Sequence, residues 1–398
     1  MRSDMRLHYV DWLRVSAFAV LILYHSSVAF FPDMEWLIAS AERSASLQMV
    51  MDHPRAWRLA LLFFVSGMGS WFVFRSRAGS AFLSERVSRL LLPLLFAMAV
   101  IVVPQVWYER AYYEGYEGSL GTFWLTRYFT EGKYPEGNIT WAHMWFVGYL
   151  LAMTIVCYPV FRLLKHSRLK PLNDWFARRA ASPWVYMFFL LPVVLNLVLS
   201  PFFPRQTNAL YNDGAWFAVW ASWFGLGFLF AKHHAAIIGG VIERRWTSAA
   251  VMLLVSGLLY GTAWSGEPSS MGSWTNMTAL YKIAIMALAW SMILTLLGFG
   301  AKHLNRRSAA LSWVSGKVFP LYIVHQTVIV AVLFHVLPLD LPLWGKYLTV
   351  LSSTVVLSLA FAVAAERLPW PLRALFGLGD NGTRIRIPEP AREVSTHR

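Results

Sequence analysis

The sequence predicts an all-α, polytopic membrane protein with about ten transmembrane helices and both termini cytoplasmic. Three observations carry this prediction. Apolar residues make up 57% of the 398-residue chain against 14% charged, with a mean hydropathy of +0.48; a soluble domain normally carries about 25% charge. Apolar windows long enough to cross ~30 Å of hydrocarbon recur ten times. The basic residues alternate between connections, as the positive-inside rule requires.

The first window, Val10–Phe30, follows Arg2 and Arg6 and has the flavour of a signal peptide. No small-x-small cleavage site follows it, and many more spans do, so it reads as an uncleaved first span. The others lie near Leu59–Phe74, Leu90–Trp107, His143–Leu164, Trp184–Phe203, Trp216–Phe230, Thr247–Trp264, Met277–Gly298, Val318–Leu337 and Trp344–Ala364. With the N-terminus in the cytoplasm, 25 of the 35 Lys and Arg fall on the inner side (counting Arg162 at the edge of the fourth span) and 7 in outer loops. Arg14, Lys282 and Lys346 lie inside spans. Conversely, 12 of the 21 acidic residues fall outside.

This distribution accounts for the net charge of +14 without nucleic acid, because the basic residues face cytoplasm and anionic lipid. The single Cys157 lies in an apolar run, which leaves no disulfide, and no Cys/His cluster has zinc spacing, so no metal is expected. The chain divides into an integral-membrane domain, 1–368, and a polar cytoplasmic tail, 369–398, expected to be disordered. The longest outer connection, Tyr108–Ala142, mixes aromatics with carboxylates, a composition that suits either a sugar-binding surface or an ordinary interfacial loop.

Charged groups inside spans are costly, roughly 2.5–3.5 kcal/mol on insertion scales, and therefore call for a role. In "DWLRVSAFAVLILYHS", Arg14 and His25 stand eleven residues apart. That spacing puts them ~20° apart around the helix and ~16 Å apart along it. Asp11 is placed to pair with Arg14. Arg86 and Arg89 enter the third span from the cytoplasm on one face, as positive-inside topology alone would produce or as a phosphate site requires. His325 lies about two turns into the ninth span, in "FPLYIVHQTVIV". His143 ("WAHMWFVGYLL") and His53 ("MDHPRAW") stand at the outer level. Arginines at the inner end and histidines deeper or outside suit a cytoplasmic donor with a phosphate head and a long arm. A coenzyme A thioester has that shape, and its transfer needs only a base and oxyanion stabilisation.

These motifs resemble those of the acyltransferase-3 family of integral-membrane O-acyltransferases. Arg14 to His25 resembles its R-x10-H motif in the first span, Arg86–Arg89 its R-x-x-R at the third, and "LYIVHQ" its late-span Tyr/His block. "LLFFVSGMGSWF" and "HMWFVGYLL" also resemble family segments, and the likeness runs to about Leu368. The flavour of "DWLRVSAFAVLILYHS" and "HMWFV" is nearest to the glucan biosynthesis protein C branch, which modifies periplasmic glucans, often by succinylation.

The resemblance implies an enzyme of the bacterial inner membrane. Its donor co-substrate would be acyl-CoA, its acyl group succinyl or acetyl, and its acceptor a hydroxyl of an extracytoplasmic glycan. His25 would be the catalytic base and Arg14 would support the donor path. Arg86, Arg89 and His325 would bind the donor, and His143, Trp145 and His53 the acceptor. Some members carry a fused external hydrolase-like domain; here only a short tail follows the last span, so transfer would be completed in the membrane domain or by a periplasmic partner enzyme. The residues also fit an enzyme acylating a small molecule or lipid headgroup. A secondary transporter fits less well, since no inverted repeat or pair of Gly/Pro-interrupted spans is visible.

Overall fold

The computed structural model describes residues 7–77, 79–265 and 279–379. Among them there is no β-strand, and nine helices are long and apolar enough to cross a membrane, or ten if one sharply bent pair forms a single span. In chain order they are α1 (His8–Ser27), α2 (Ala45–Ser76), α3 (Ser80–Phe96) running through one wide turn into α4 (Val103–Glu114), a short α5 (Leu120–Phe123) and α6 (Trp145–Leu163). There follow α7 (Lys170–Ala181), α8 (Leu190–Leu199), α9 (Gly214–Lys232), α10 (His234–Glu243), α11 (Arg245–Leu259), α12 (Ala279–His303), α13 (Ala309–Ser315), α14 (Val318–Val336), α15 (Leu343–Ala365) and α16 (Trp370–Ala374).

Each apolar window in the sequence has its counterpart, with two informative differences. The second span begins at Ala45 rather than Leu59, and Ser44 caps it by accepting a hydrogen bond from the Leu47 amide at 3.2 Å. Asp52, Arg55 and Arg58 therefore lie inside the bundle instead of flanking it. The ion pair Asp52–Arg55 at 3.5 Å makes one polar turn tolerable there. The fifth window corresponds to a broken element, in which Ser167–Ala181 and Pro183–Leu199 meet at 104°. Pro183 cannot continue the preceding helix, and Ser182 turns the chain in extended backbone.

The tightest crossing joins α2 to α9, where glycines let backbones touch. A Cβ added at Gly67 would lie 1.9 Å from the Phe224 carbonyl oxygen, and one at Gly227 would lie 1.9 Å from that of Phe64. Small residues at helix crossings are the membrane solution to close packing. Around this crossing Trp223 and Trp290 stack at 5.8 Å and Phe161 and Phe228 at 3.6 Å. A second apolar cluster joins Phe18, Leu21, Leu90, Leu94 and Leu321 between α1, α3 and α14.

The connection 108–142 is largely tied to itself. Arg110 bonds Asn138 at 3.0 Å and the Gly137 carbonyl at 2.9 Å, Tyr134 donates to Glu109 at 2.8 Å, and Arg127 pairs with Glu131. Arg127 beside it holds the Glu131 carboxyl below the usual carboxylate range. Three of its carboxylates, Glu109, Glu114 and Glu131, thus have partners within the connection. The expected tail begins with structure: α16 and Phe376 pack back, with Phe376 edge-on to Phe96 at 5.2 Å and Phe361 at 5.1 Å. Residues 380–398 of that tail, and Met277 and Thr278 of the eighth expected span, lie outside the described residues.

Candidate active site

His25 occupies the last turn of α1, and His325 sits in the middle of α14, 0% exposed. Packing of α1 against α14 brings these residues, 300 positions apart, into contact. His25 Nδ1 and His325 Nε2 are 3.0 Å apart, and the two rings are within 9° of parallel. His325 Nδ1 lies 2.6 Å from the Tyr322 carbonyl oxygen. A carbonyl only accepts, so His325 Nδ1 carries the proton there. Its Nε2 is then a lone pair in the neutral ring, and His25 Nδ1–H must be the donor. The proton-free nitrogen of His25 is Nε2. The chain carbonyl–His325–His25 therefore fixes the tautomer a general base needs, as a second group orients a catalytic histidine elsewhere.

His143, in the short turn just before α6, completes the polar floor. Its Nε2 donates to the Ile323 carbonyl at 2.9 Å, and its Nδ1 faces the Gln105 amide nitrogen at 3.4 Å. Gln105 also donates to Thr327 at 2.7 Å and accepts from Gln326 at 3.3 Å. Tyr322 donates its hydroxyl to the His143 carbonyl. Every member has a partner, which is what keeps a buried polar network rigid.

The site opens into a cavity of about 680 Å³ lined by His25, His143 and Tyr322 on one side and by Trp145, Trp216, Trp220 and Trp223 on another. Met34 and Trp36 of the α1–α2 connection and Arg205, Gln206 and Asn208 of the α8–α9 connection line it at the end of the bundle where α1 finishes. Arg55, Arg58 and Arg205 also line it, and among the described residues no Asp or Glu does. Among the described residues no three His, Cys, Asp or Glu side chains are grouped to hold a metal ion.

The residues singled out in the sequence fall into three places. His25, His325, His143 and Trp145 gather at or beside this cavity, with His325 directly on His25. Arg14, Arg86 and Arg89 are not among the residues lining it. Arg14 pairs with Asp11 at 3.2 Å, as the spacing suggested, and also donates to the Ser315 carbonyl at 3.1 Å, tying α1 to α13. Arg86 donates to Ser70 at 3.2 Å, its Nε is buried without a partner, and Arg89 is exposed. His53 lies elsewhere, between α2 and α11: it bonds Ser256 at 3.1 Å and accepts from Trp57 at 3.3 Å, and both its nitrogens are satisfied. Arg58, Tyr24 and Gln105 were not singled out. The sequence does carry a signal for Arg58, an arginine at helical spacing from Arg55, but it falls one residue before the apolar window that begins at Leu59.

The sequence pattern of a family described as "Acyltransferase domain" matches residues 7–363. Among curated relatives, "Glucans biosynthesis protein C" of Escherichia coli O139:H28 (strain E24377A / ETEC) is 24% identical over 340 residues, 81% of each chain. The protein of the same name from Escherichia coli (strain K12) is 24% identical over 338 residues, again 81% of each. No solved structure matches. The resemblance read from the sequence motifs is thereby borne out at the level of the family.

Proposed function

Because this chain belongs to that acyltransferase family, we propose that it moves an acyl group from cytoplasmic acyl-CoA to a hydroxyl of an extracytoplasmic glycan. The observation that carries the mechanism is the His325–His25 pair at 3.0 Å, which leaves His25 Nε2 as the free base in the wall of a deep cavity. The acceptor hydroxyl gives its proton to Nε2 as its oxygen attacks the thioester carbon. Collapse of the intermediate expels the coenzyme A sulfur, which recovers that proton and leaves as the thiol. A base of this kind supplies roughly 10²–10⁴-fold in rate.

The tryptophans support a sugar acceptor. An indole offers an apolar face to a pyranose and an N–H to its hydroxyls, and Trp220 Nε1 is buried without a partner. The name of the relatives points to a glucan among glycans. Arg86 and Arg89 would take the donor's phosphates at the inner end, with Arg14 beside its path, and the acyl group would travel the ~16 Å between the levels of Arg14 and His25. The protein would reside in the bacterial inner membrane with both termini cytoplasmic, working alone or with a periplasmic partner enzyme.

Mass spectrometry of periplasmic glycans from wild-type and deletion strains tests the function. Loss of an acyl mass increment from the glucans on deletion is expected. Identical glycans in the two strains would overturn the acceptor assignment.

A further inference from the structure

Arg58 has no place in the mechanism so far, yet its setting is unusual. It is 6% exposed, and its Nε and Nη1 are buried with no hydrogen-bond partner. It lines the same cavity as His25. The nearby Asp52 is engaged by Arg55 at 3.5 Å, and among the described residues no carboxylate lines the cavity itself. A buried cation with unspent N–H groups in apolar surroundings is unstable unless something else takes them. Part of the compensation is the face of Tyr24, over which the guanidinium carbon sits 3.5 Å from the ring centroid. That stacking also fixes the plane of the fork.

We infer that Arg58 is a second catalytic residue, the group that holds the oxyanion formed when the acceptor attacks the thioester. The inference rests on the acyl-transfer reading above. Arg58 Cζ lies 3.5 Å from the Tyr24 centroid and that ring 5.9 Å from the His25 ring, so guanidinium and imidazole are within about 9.4 Å of one another. Both side chains line the one cavity. In the step, the hydroxyl oxygen bonds to the thioester carbon and its proton passes to His25 Nε2. The carbonyl π pair moves to oxygen, and that oxygen accepts from the free N–H groups of Arg58. When the pair returns, the C–S bond breaks and the thiolate takes the proton from His25. The charge on Arg58 is thus answered chiefly in the transition state, which is where an interaction must be strongest to raise kcat.

The test uses full-length protein in proteoliposomes, acetyl-CoA and succinyl-CoA offered in parallel, and a linear glucose oligomer as acceptor. Folding is monitored by thermal melting. Arg58→Gln and Arg58→Ala are expected to lower kcat by ~10²–10³-fold, the loss typical of an oxyanion donor, with KM little changed. Arg58→Lys should recover part of it, and added guanidinium should restore turnover to Arg58→Ala but not to His25→Ala. If the Arg58 variants do not fold, Tyr24→Leu, which removes the stacking face, should lower kcat further than Tyr24→Phe, which keeps it. Unchanged kcat in folded Arg58 variants, a rise in KM alone, or equal kcat in the two Tyr24 variants would overturn the inference. A rise in KM alone would mean a permanently anionic substrate group sits on Arg58. None of these results touches the role of His25, which fails only if His25→Ala itself transfers normally.

Discussion

Replacing His325 with leucine removes the acceptor that fixes the His25 tautomer and puts an apolar side chain at a fully buried position. In the wild type, His25 Nδ1–H donates across 3.0 Å to a ring that is itself held by the Tyr322 carbonyl at 2.6 Å. Losing a buried partner costs about 1–3 kcal/mol, because the remaining donor is left unsatisfied. His25 escapes most of that cost by moving its proton to Nε2, where water in the cavity can accept it, and in that tautomer it is no longer a base. At 1.36 kcal/mol per tenfold in rate, the same range predicts a ~5- to ~150-fold fall in kcat. KM should move little, since His325 is 0% exposed and does not reach the cavity. His325→Gln places a carbonyl oxygen within reach of His25 Nδ1–H and should keep more of the rate than leucine does. The assay is steady-state transfer in proteoliposomes, with melting temperature as the control for folding. A folded His325→Leu protein within twofold of wild-type kcat, or glutamine no better than leucine, would refute the tautomer argument.

Three further outcomes are expected. Arg86→Ala/Arg89→Ala should weaken coenzyme A binding by calorimetry while the protein remains folded, and lysine at both positions should restore it only partly because a point charge lacks the bidentate fork; unchanged affinity would leave the pair as topological charges. Gly227→Ala should lower the melting temperature sharply or prevent accumulation, because the new Cβ meets the Phe64 carbonyl at 1.9 Å, whereas Gly225→Ala, with nothing within 4 Å, should be tolerated. Reporter fusions after Glu136 should score external and those after Arg179 internal; the reverse would invert the orientation read from the basic residues.

The helices were legible because hydropathy and basic residues report directly on the solvent each residue meets, and every apolar window has a helix beneath it. The second span was foreshortened because Asp52, Arg55 and Arg58 count against a membrane window one by one. The structure shows them sharing charge with each other and with Tyr24. The bend at Ser182 was hidden since a hydropathy window sees composition and not direction. In the site, His25 was found by its cost in a membrane span, His143 by its level, and Trp145 beside it in the family-like segment. His325 was assigned to the donor, but it touches His25, a contact between positions 300 apart that no local pattern encodes. His53 shares a level with the site residues, yet Ser256 and Trp57 occupy both its nitrogens.

The measurement that bears most directly on the account is transfer of radiolabelled acyl groups from acyl-CoA to glucan by purified wild-type and His25→Ala proteins, reconstituted in vesicles with coenzyme A binding measured in parallel. The account predicts labelled glucan with the wild type, a fall of ~10²-fold or more with His25→Ala, and donor binding retained in both. Labelled glucan formed by folded His25→Ala at near the wild-type rate would contradict it.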